Sequence, residues 1–162
     1  MDLKNGTTIS LNTFAGGFRN YFAYTNDLKI IEQNIEHLVE NFLTDQKLFP
    51  NDLSNLENAL EKTSEIIKNG KEHSKSQSNE ILIIINTKKA TDITSNKPTQ
   101  NIRRRQNVKV FSVGVGPNIR RVDVWTMASH VRNDHTFMVE DWEELVEETY
   151  LKLGRSVCGD DQ

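Results

Sequence analysis

The stretch Val108-Lys-Val-Phe-Ser-Val-Gly-Val-Gly116 is the clearest structural signal in the chain. A shorter apolar run, Ile81 to Ile85, precedes it, and the segment Phe137 to Leu153 follows it. Short runs that are rich in β-branched residues and polar at their borders are typical of strands buried on both faces. Because helix-length segments lie between and after these runs, we predict an α/β chain with a mostly parallel sheet.

The composition excludes several classes of protein. With 162 residues, of which 36% are hydrophobic, the chain is one domain long and can bury a core. A formal net charge of −3 provides no long-range attraction to nucleic acid or to an anionic membrane, so we expect neither as a partner. No apolar run is long enough to span a membrane, and residues 1–6 lack the apolar core of a signal peptide.

Two features bear on the compartment in which the chain works. Cys158 is the single cysteine, which rules out an internal disulfide and a cysteine-based zinc cluster. The triplet Asn5-Gly-Thr7 is a glycosylation sequon, which is usable only in a secreted chain. A lone thiol without a visible leader also suits a reducing compartment, so an extracellular and a cytoplasmic location both stay open.

The first part of the chain predicts a hairpin followed by a helix. Strand-like residues Thr8 to Phe14 and Phe18 to Tyr24 flank Ala15-Gly-Gly17, which permits a tight turn. The helix begins after a cap formed by Asn26 or Asp27. Its predicted apolar face consists of Leu28, Ile31, Ile35, Leu38 and Phe42.

A second helix and two polar segments are predicted next. The helix stops at Asn69-Gly70, a left-handed C-cap signal. Its apolar stripe consists of Leu53, Leu56, Leu60 and Ile67. The polar residues Lys71 to Asn79 predict an exposed loop. For Thr87 to Asn107 we expect a flexible loop with at most a short helix near Gln100 to Gln106.

The last helix has the best-marked start in the chain. Asp141 and Glu144 form an Asp-x-x-Glu cap, and Gly154 is predicted to end the helix. The residues predicted to share one face are Trp142, Leu145, Val146, Thr149 and Leu153.

Three phrases of the second half resemble the von Willebrand factor A domain family. They are Phe111-Ser-Val-Gly-Val-Gly116, Met127-Ala-Ser129 and His135-Thr-Phe-Met-Val139, followed by the helix Trp142 to Leu153. The resemblance implies a doubly wound, mostly parallel sheet with helices on both faces and one antiparallel edge. The sequence starts at what looks like the family's second strand. The resemblance therefore implies that residues 1–157 are an N-terminally truncated domain without its central first strand, and that residues 158–162 are a polar tail.

Proteins of this family often bind Mg²⁺ at the carboxyl end of the sheet. The Asp-x-Ser-x-Ser loop that supplies the family's first ligands is not found here, and the next matching positions are Ser54 and Thr87. Both are neutral hydroxyls, with Lys88 beside the second, whereas Mg²⁺ normally needs at least one carboxylate. Ser54 also fits a capping box with Glu57. We therefore expect no bound metal and no cofactor, with Asp92 the nearest carboxylate that could rescue the site.

For each of the other candidate sites, a structural explanation is better supported than a functional one. Gly114 and Gly116 lack the third glycine of a dinucleotide fingerprint, so we expect them to permit close packing and the end of the strand. The four histidines are scattered without metal-ligand spacing. Arg103-Arg-Arg105 could join Arg120-Arg121 in a basic patch, but we favour a solvated loop, with an acidic protein partner left open. No nucleophile–base–acid pattern occurs, so we predict that the chain is not an enzyme.

The resemblance implies a non-catalytic, protein-binding module of an extracellular matrix or adhesion protein, of the collagen or matrilin kind. It also implies secretion within a longer chain, where Cys158 would match a cysteine that matrix members pair with one ahead of their first strand. Two alternatives stay open: an intracellular scaffold of the same fold, and an α/β enzyme with an unrecognised site. Without a central strand, the inner edges of Thr8 to Phe14 and Ile81 to Ile85 are unpaired, so we expect marginal stability or self-association.

Overall fold

The computed structural model divides the chain into two compact units, residues 1–75 and 76–162. The residues that the structure describes are 8–14, 18–37, 56–73, 80–87 and 97–158. Within these ranges, the first unit holds a two-stranded sheet and the second a three-stranded sheet, each accompanied by helices. This arrangement confirms the predicted α/β class.

The first unit begins with the predicted hairpin. Strands β1 (Ile9–Thr13) and β2 (Arg19–Thr25) pair antiparallel, with Leu11 opposite Phe22. The register shifts on both sides of Leu11, as at a β-bulge. Phe22 is buried in a small core with partly buried residues of both strands. The predicted turn, residues 15–17, lies outside the described residues.

Helix α1 begins at residue 28 and is described as far as residue 37. The Asp27 carboxylate accepts a hydrogen bond of 2.9 Å from the Lys29 amide, and the Asp27 carbonyl accepts one of 3.1 Å from the Ile31 amide. These bonds confirm Asp27 as the N-cap. Ile31 is buried, but two other members of the predicted apolar face, Leu28 and Ile35, are exposed. The remaining two members, Leu38 and Phe42, lie outside the described residues.

Helix α2 (Leu56–His73) buries the predicted apolar stripe. Its buried residues are Leu56, Ala59, Leu60 and Ile67. The predicted stop at Asn69-Gly70 is wrong, because the helix continues through Gly70 to His73. A C-cap glycine takes a positive φ, and Gly70 is not among the described glycines that do so. Leu53 and the predicted capping residue Ser54 lie outside the described residues.

The second unit contains the predicted parallel sheet. Strands β3 (Ile81–Asn86), β4 (Lys109–Val115) and β5 (Thr136–Val139) pair in parallel in the order β3-β4-β5. In the central strand β4, every residue after Lys109 is buried. A strand covered on both faces needs small or apolar side chains at nearly every position, which explains the continuous apolar run of this strand.

Strand β3 is buried on one face only. Ile84 and Asn86 are each 5% exposed, whereas Ile81, Ile83 and Ile85 are 38%, 43% and 40% exposed. The prediction of burial on both faces is therefore wrong for this strand. Isoleucine-rich runs occur both in edge strands and in central strands, so composition does not predict which position such a strand takes in the sheet.

We expect the isolated chain to self-associate through β3. This strand contains no charged residue and no proline, and it lies at the edge of the described parallel sheet. Such an edge offers backbone donors and acceptors to a second copy. Replacing Ile83 by lysine should therefore shift the chain towards monomer in sedimentation velocity experiments.

The matched control for this prediction is Ile30→Lys, since Ile30 is 41% exposed and lies on helix α1, not on a strand edge. That variant should associate as the original chain does. An original chain that stays monomeric at high concentration, or equal effects of the two substitutions, would contradict the prediction.

Two helices flank β4 in the chain. Helix α3 (Lys97–Arg105) confirms the short helix predicted near Gln100 to Gln106 and begins three residues earlier. Helix α4 (Arg121–Met127) is followed by Ser129, which makes two hydrogen bonds of 2.9 Å with Val110. The Ser129 hydroxyl accepts from the Val110 amide, and the Ser129 amide donates to the Val110 carbonyl. These bonds fasten the segment after α4 to the start of β4.

The C-terminal helix, residues 142–158, combines two helical types. It consists of α5 (Trp142–Glu144), a π-helical turn (Leu145–Thr149) and α6 (Tyr150–Cys158). Leu145 and Thr149 are buried as predicted, whereas Trp142 is 54% and Val146 is 64% exposed. A π-helical turn contains more than 3.6 residues, so a face extrapolated through it with the ordinary period is partly wrong.

The predicted start of this helix is confirmed and its predicted end is wrong. The Asp141 carboxylate accepts a 2.9 Å hydrogen bond from the Glu144 amide, and the Glu144 carboxylate accepts one of 2.6 Å from the Glu140 amide. The helix continues through Gly154 to Cys158, so the backbone of Cys158 is helical. None of the described helices has the length and apolar character that a membrane crossing requires.

Candidate functional site at the ends of the parallel sheet

Two glycines at the carboxyl end of β4 permit close packing and a change of chain direction. A Cβ atom on Gly114 would lie 2.8 Å from Val124 Cγ2 and 2.9 Å from both Ile119 Cγ2 and Met138 Sδ. Gly116 has a φ of 91°, which glycine adopts readily and other residues rarely do. Both glycines therefore have the structural roles predicted for them.

Thr87, the predicted metal-ligand position of the second unit, directly follows β3 and is exposed. Its neighbour Asn86 is 5% exposed, and the side-chain amide of Asn86 lies 3.8 Å from the Met127 sulfur. Neither residue supplies a carboxylate. The other positions named for this site, Ser54, Lys88 and Asp92, lie outside the described residues. The sequon residue Asn5 also lies outside them.

Three of the carboxylates that follow β4 and β5 in the chain, those of Asp123, Asp141 and Glu144, have local partners. Asp141 and Glu144 accept amide hydrogens at the start of the C-terminal helix. Asp123 accepts two hydrogen bonds, of 2.7 and 2.8 Å, from the Arg120 guanidinium. These hydrogen bonds raise the pKa of Arg120, and the negative charge of Asp123 is the second cause of the rise. No group of three His, Cys, Asp or Glu residues within the described ranges could hold a metal ion. Thr87 and Asn86 offer a hydroxyl and an amide, whereas Mg²⁺ normally needs a carboxylate, so these two residues by themselves do not fit the ion.

We expect millimolar Mg²⁺ or Mn²⁺, or a chelator, to leave the melting temperature unchanged. An ion that binds only the folded chain would raise stability by mass action, but a hydroxyl such as that of Thr87 does not hold Mg²⁺ against its water shell. Scanning calorimetry at constant ionic strength, with NaCl as the control salt, measures the effect. An ion-dependent rise that Thr87→Ala or Asp92→Ala abolishes would contradict this expectation and favour metal-dependent adhesion.

Basic residues line a pocket at the amino end of the parallel sheet. The pocket has a volume of about 610 Å³, and we call it the amino-end pocket. Arg103 and Arg104 of α3 contribute to its wall, as does Lys109 at the start of β4. His130 and Arg132, from the segment that precedes β5, complete the basic part of the lining.

The solvated loop predicted for Arg103-Arg-Arg105 is wrong, because these residues lie in helix α3. The alternative, a basic patch that joins them to Arg120-Arg121, is not found either. Strand β4, which has 7 residues, runs between the two groups, and a strand of that length spans about 23 Å. Lys109 and Arg132 take the place of the second arginine pair. The available signal was position along the chain: both residues stand shortly before or at the start of a parallel strand, and parallel strands begin at the same end of a sheet.

Two of the pocket's arginines are held in place by contacts within the second unit. Arg103 is half-buried, and its guanidinium donates a hydrogen bond to the Ala128 carbonyl. The Arg132 guanidinium carbon lies 4.0 Å from the centre of the Trp125 ring, a cation–π contact. Burial, followed by the charges of Arg132 and Arg104, lowers the pKa of Arg103. Two of the positive charges in the pocket wall are therefore on side chains with restricted freedom.

Comparisons with known proteins agree with the observed fold. The sequence profile of the von Willebrand factor type A domain matches residues 2–150. Proximal thread matrix protein 1 from the mussel byssus has a similar structure, with a TM-score of 0.68 and 15% identity over 94% of this chain and 37% of that one. A structure of the mussel protein with a zinc-occupied MIDAS motif gives a TM-score of 0.69 and 15% identity over 96% of this chain and 37% of that one. The chain thus spans little more than a third of the mussel protein. No protein with a curated description matches it significantly.

Proposed function

Because the chain belongs to the von Willebrand factor type A domain family, we propose that it is a non-catalytic, protein-binding module of an extracellular matrix or adhesion protein. The profile match over residues 2–150 is the observation that carries this proposal. Domains of this family typically mediate protein–protein interactions in matrix or adhesion proteins. The mussel protein of similar fold is by its name a thread matrix protein, which supports a matrix setting.

The proposed binding does not depend on a divalent cation. The exposed Thr87 hydroxyl carries no charge, and the carboxylates of Asp123, Asp141 and Glu144 serve as partners for an arginine or for backbone amides. In this respect the proposal separates the chain from the mussel protein, one of whose structures has zinc in its MIDAS motif. The same local use of the carboxylates supports a binding role over an acid–base role in catalysis.

The module is proposed to act outside the cell as part of a longer chain. The mussel protein supports this setting, since the chain corresponds to only 37% of its length. In such a setting Cys158, at the end of α6, remains a candidate for a disulfide with a cysteine outside these 162 residues, and Asn5 remains a candidate for glycosylation.

Binding of the immobilised chain to a panel of purified collagens and matrix glycoproteins tests the proposal. We expect saturable binding to at least one member, with the same affinity in Mg²⁺ and in a chelator. An unrelated domain of similar size and net charge serves as the control for adsorption. Saturable binding to no member of the panel, or binding that appears only with Mg²⁺, would contradict the proposal.

A further inference from the structure

The amino-end pocket has an excess of positive charge that the rest of the chain does not share. Arg103, Arg104, Lys109 and Arg132 line it together with one carboxylate, that of Glu80, whereas the whole chain has a formal net charge of −3. Arg104 and Lys109 are exposed, and Arg103 and Arg132 are half-buried. The charge is therefore a local property of this pocket, and it is open to a ligand from solution.

The wall of the pocket is suited to a group with two acceptor oxygens. A guanidinium has five N–H donors in a rigid fork that matches a carboxylate or another oxyanion. The hydrogen bond from Arg103 to the Ala128 carbonyl uses part of that capacity and orients the side chain. Burial, followed by the charges of Arg132 and Arg104, lowers the pKa of Arg103, so an anion in the pocket would offset repulsion between these arginines.

Three observations favour an acidic peptide over a nucleic acid or a densely sulfated glycan. The Glu80 carboxylate in the lining would repel a uniform polyanion but leaves room for a segment with a few separated charges. No Phe, Tyr or Trp is among the residues that line the pocket, so the large aromatic side chains on which bases usually stack are absent from its lining. The negative net charge of the chain gives no long-range attraction to a long polyanion.

We propose that the amino-end pocket binds side-chain carboxylates of an acidic peptide segment in a protein partner. This inference rests on the proposed protein-binding function and specifies one site and one partner chemistry for it. Arg103 and Arg132 form the prepositioned part of the site, because Ala128 and Trp125 hold them. Arg104 and Lys109 provide exposed charge at its opening.

A blocked peptide of alternating Asp and Glu residues, compared with its Asn and Gln counterpart, is the direct probe. We expect the acidic peptide alone to bind in isothermal titration calorimetry, with an affinity that falls as salt rises. Arg104→Gln and Lys109→Gln should each weaken binding by about tenfold, as the loss of one charge-assisted hydrogen bond would. Arg121→Gln is the matched control, because it removes the same charge from an exposed residue beyond the other end of β4 and should not alter affinity.

Equal affinity of Arg104→Gln, Lys109→Gln and the original chain for the acidic peptide would overturn the inference, as would tighter binding of a sulfated oligosaccharide that depends on Arg104. Melting temperatures of the variants identify any loss of folding, and the two variants provide independent tests. The outcome is separable from that of the proposed function. If both variants still bind the matrix protein and the chain does not bind the acidic peptide, the inferred site is wrong and the proposed protein-binding function stands. If the chain binds the peptide but no matrix protein, the site stands and the proposed matrix function is wrong.

Discussion

Replacing Phe111 by alanine should lower the free energy of unfolding by about 3–5 kcal/mol. Phe111 is fully buried in β4, and its ring centre lies 4.8 Å from that of His135 in an edge-to-face contact. Alanine would remove this contact and leave a cavity that a close-packed sheet closes only in part. The expected loss is a large fraction of the stability of an ordinary small domain, about 5–15 kcal/mol. Chemical denaturation followed by circular dichroism measures it.

Trp142→Ala is the control for this prediction. It removes a still larger aromatic side chain, but one that is 54% exposed, so it should lower the free energy of unfolding by only about 0.5 kcal/mol. The loss for Phe111→Leu should lie between those of Phe111→Ala and Trp142→Ala, and this variant can be measured if Phe111→Ala does not fold. Equal losses at Phe111 and Trp142 would contradict the position of β4 as the buried centre of the parallel sheet.

Replacing Gly114 by alanine should destabilise the chain by about 1–3 kcal/mol, although it adds a single methyl group. The added carbon would lie within 3.0 Å of atoms from Val124, Ile119 and Met138, which approach from three segments. Val124 is fully buried and Ile119 is 7% exposed, so neither can turn into solvent to make room. The added methyl group must therefore displace the segments that cover the end of β4, and thermal melts report the cost.

Gly154→Ala makes the same chemical change at an open position. A Cβ atom on Gly154 would meet no atom within 4 Å, and the residue lies inside α6. Alanine favours a helix over glycine by about 1 kcal/mol, so this variant should melt at the same or a higher temperature. A fall in melting temperature at Gly154 that matches the fall at Gly114 would show that the contacts around Gly114 are not the cause.

Elements with a local signal were predicted well. The Asp27 and Asp141 caps depend on a side chain and an amide two or three residues away, and both hydrogen bonds are present. The apolar run of β4 needed only its own composition, because a strand covered on both faces is apolar along its whole length.

Errors arose where the outcome depends on neighbours that are distant in the chain or on a choice between two backbone states. Gly70 and Gly154 resembled helix ends, yet glycine ends a helix only when the backbone turns left-handed, and both helices continue. Trp142 and Val146 are exposed although Leu145 and Thr149 are buried, and the π-helical turn Leu145–Thr149 departs from the ordinary helical period on which the predicted face was based. Strand β3 had the composition of a buried strand, but its place at the edge of the described sheet left one face exposed.

The sequence by itself determined the α/β class, the buried strand β4 and the helix caps, because these follow from composition and from contacts a few residues apart. The family followed from the resemblance of three phrases in the second half of the chain. The sequence also predicted that Thr87 would be a poor metal ligand, since the chemistry of a hydroxyl does not depend on the fold. Only the tertiary structure decided which arginines act together. Parallel pairing brings the residues before β4 and β5 to one end of the sheet, so Arg103 and Arg132 line the same pocket. Arg120 follows β4 and is separated from Arg103 by the length of that strand. Charges separated along the chain interact according to their distance in space, and that distance is set by strand order and direction.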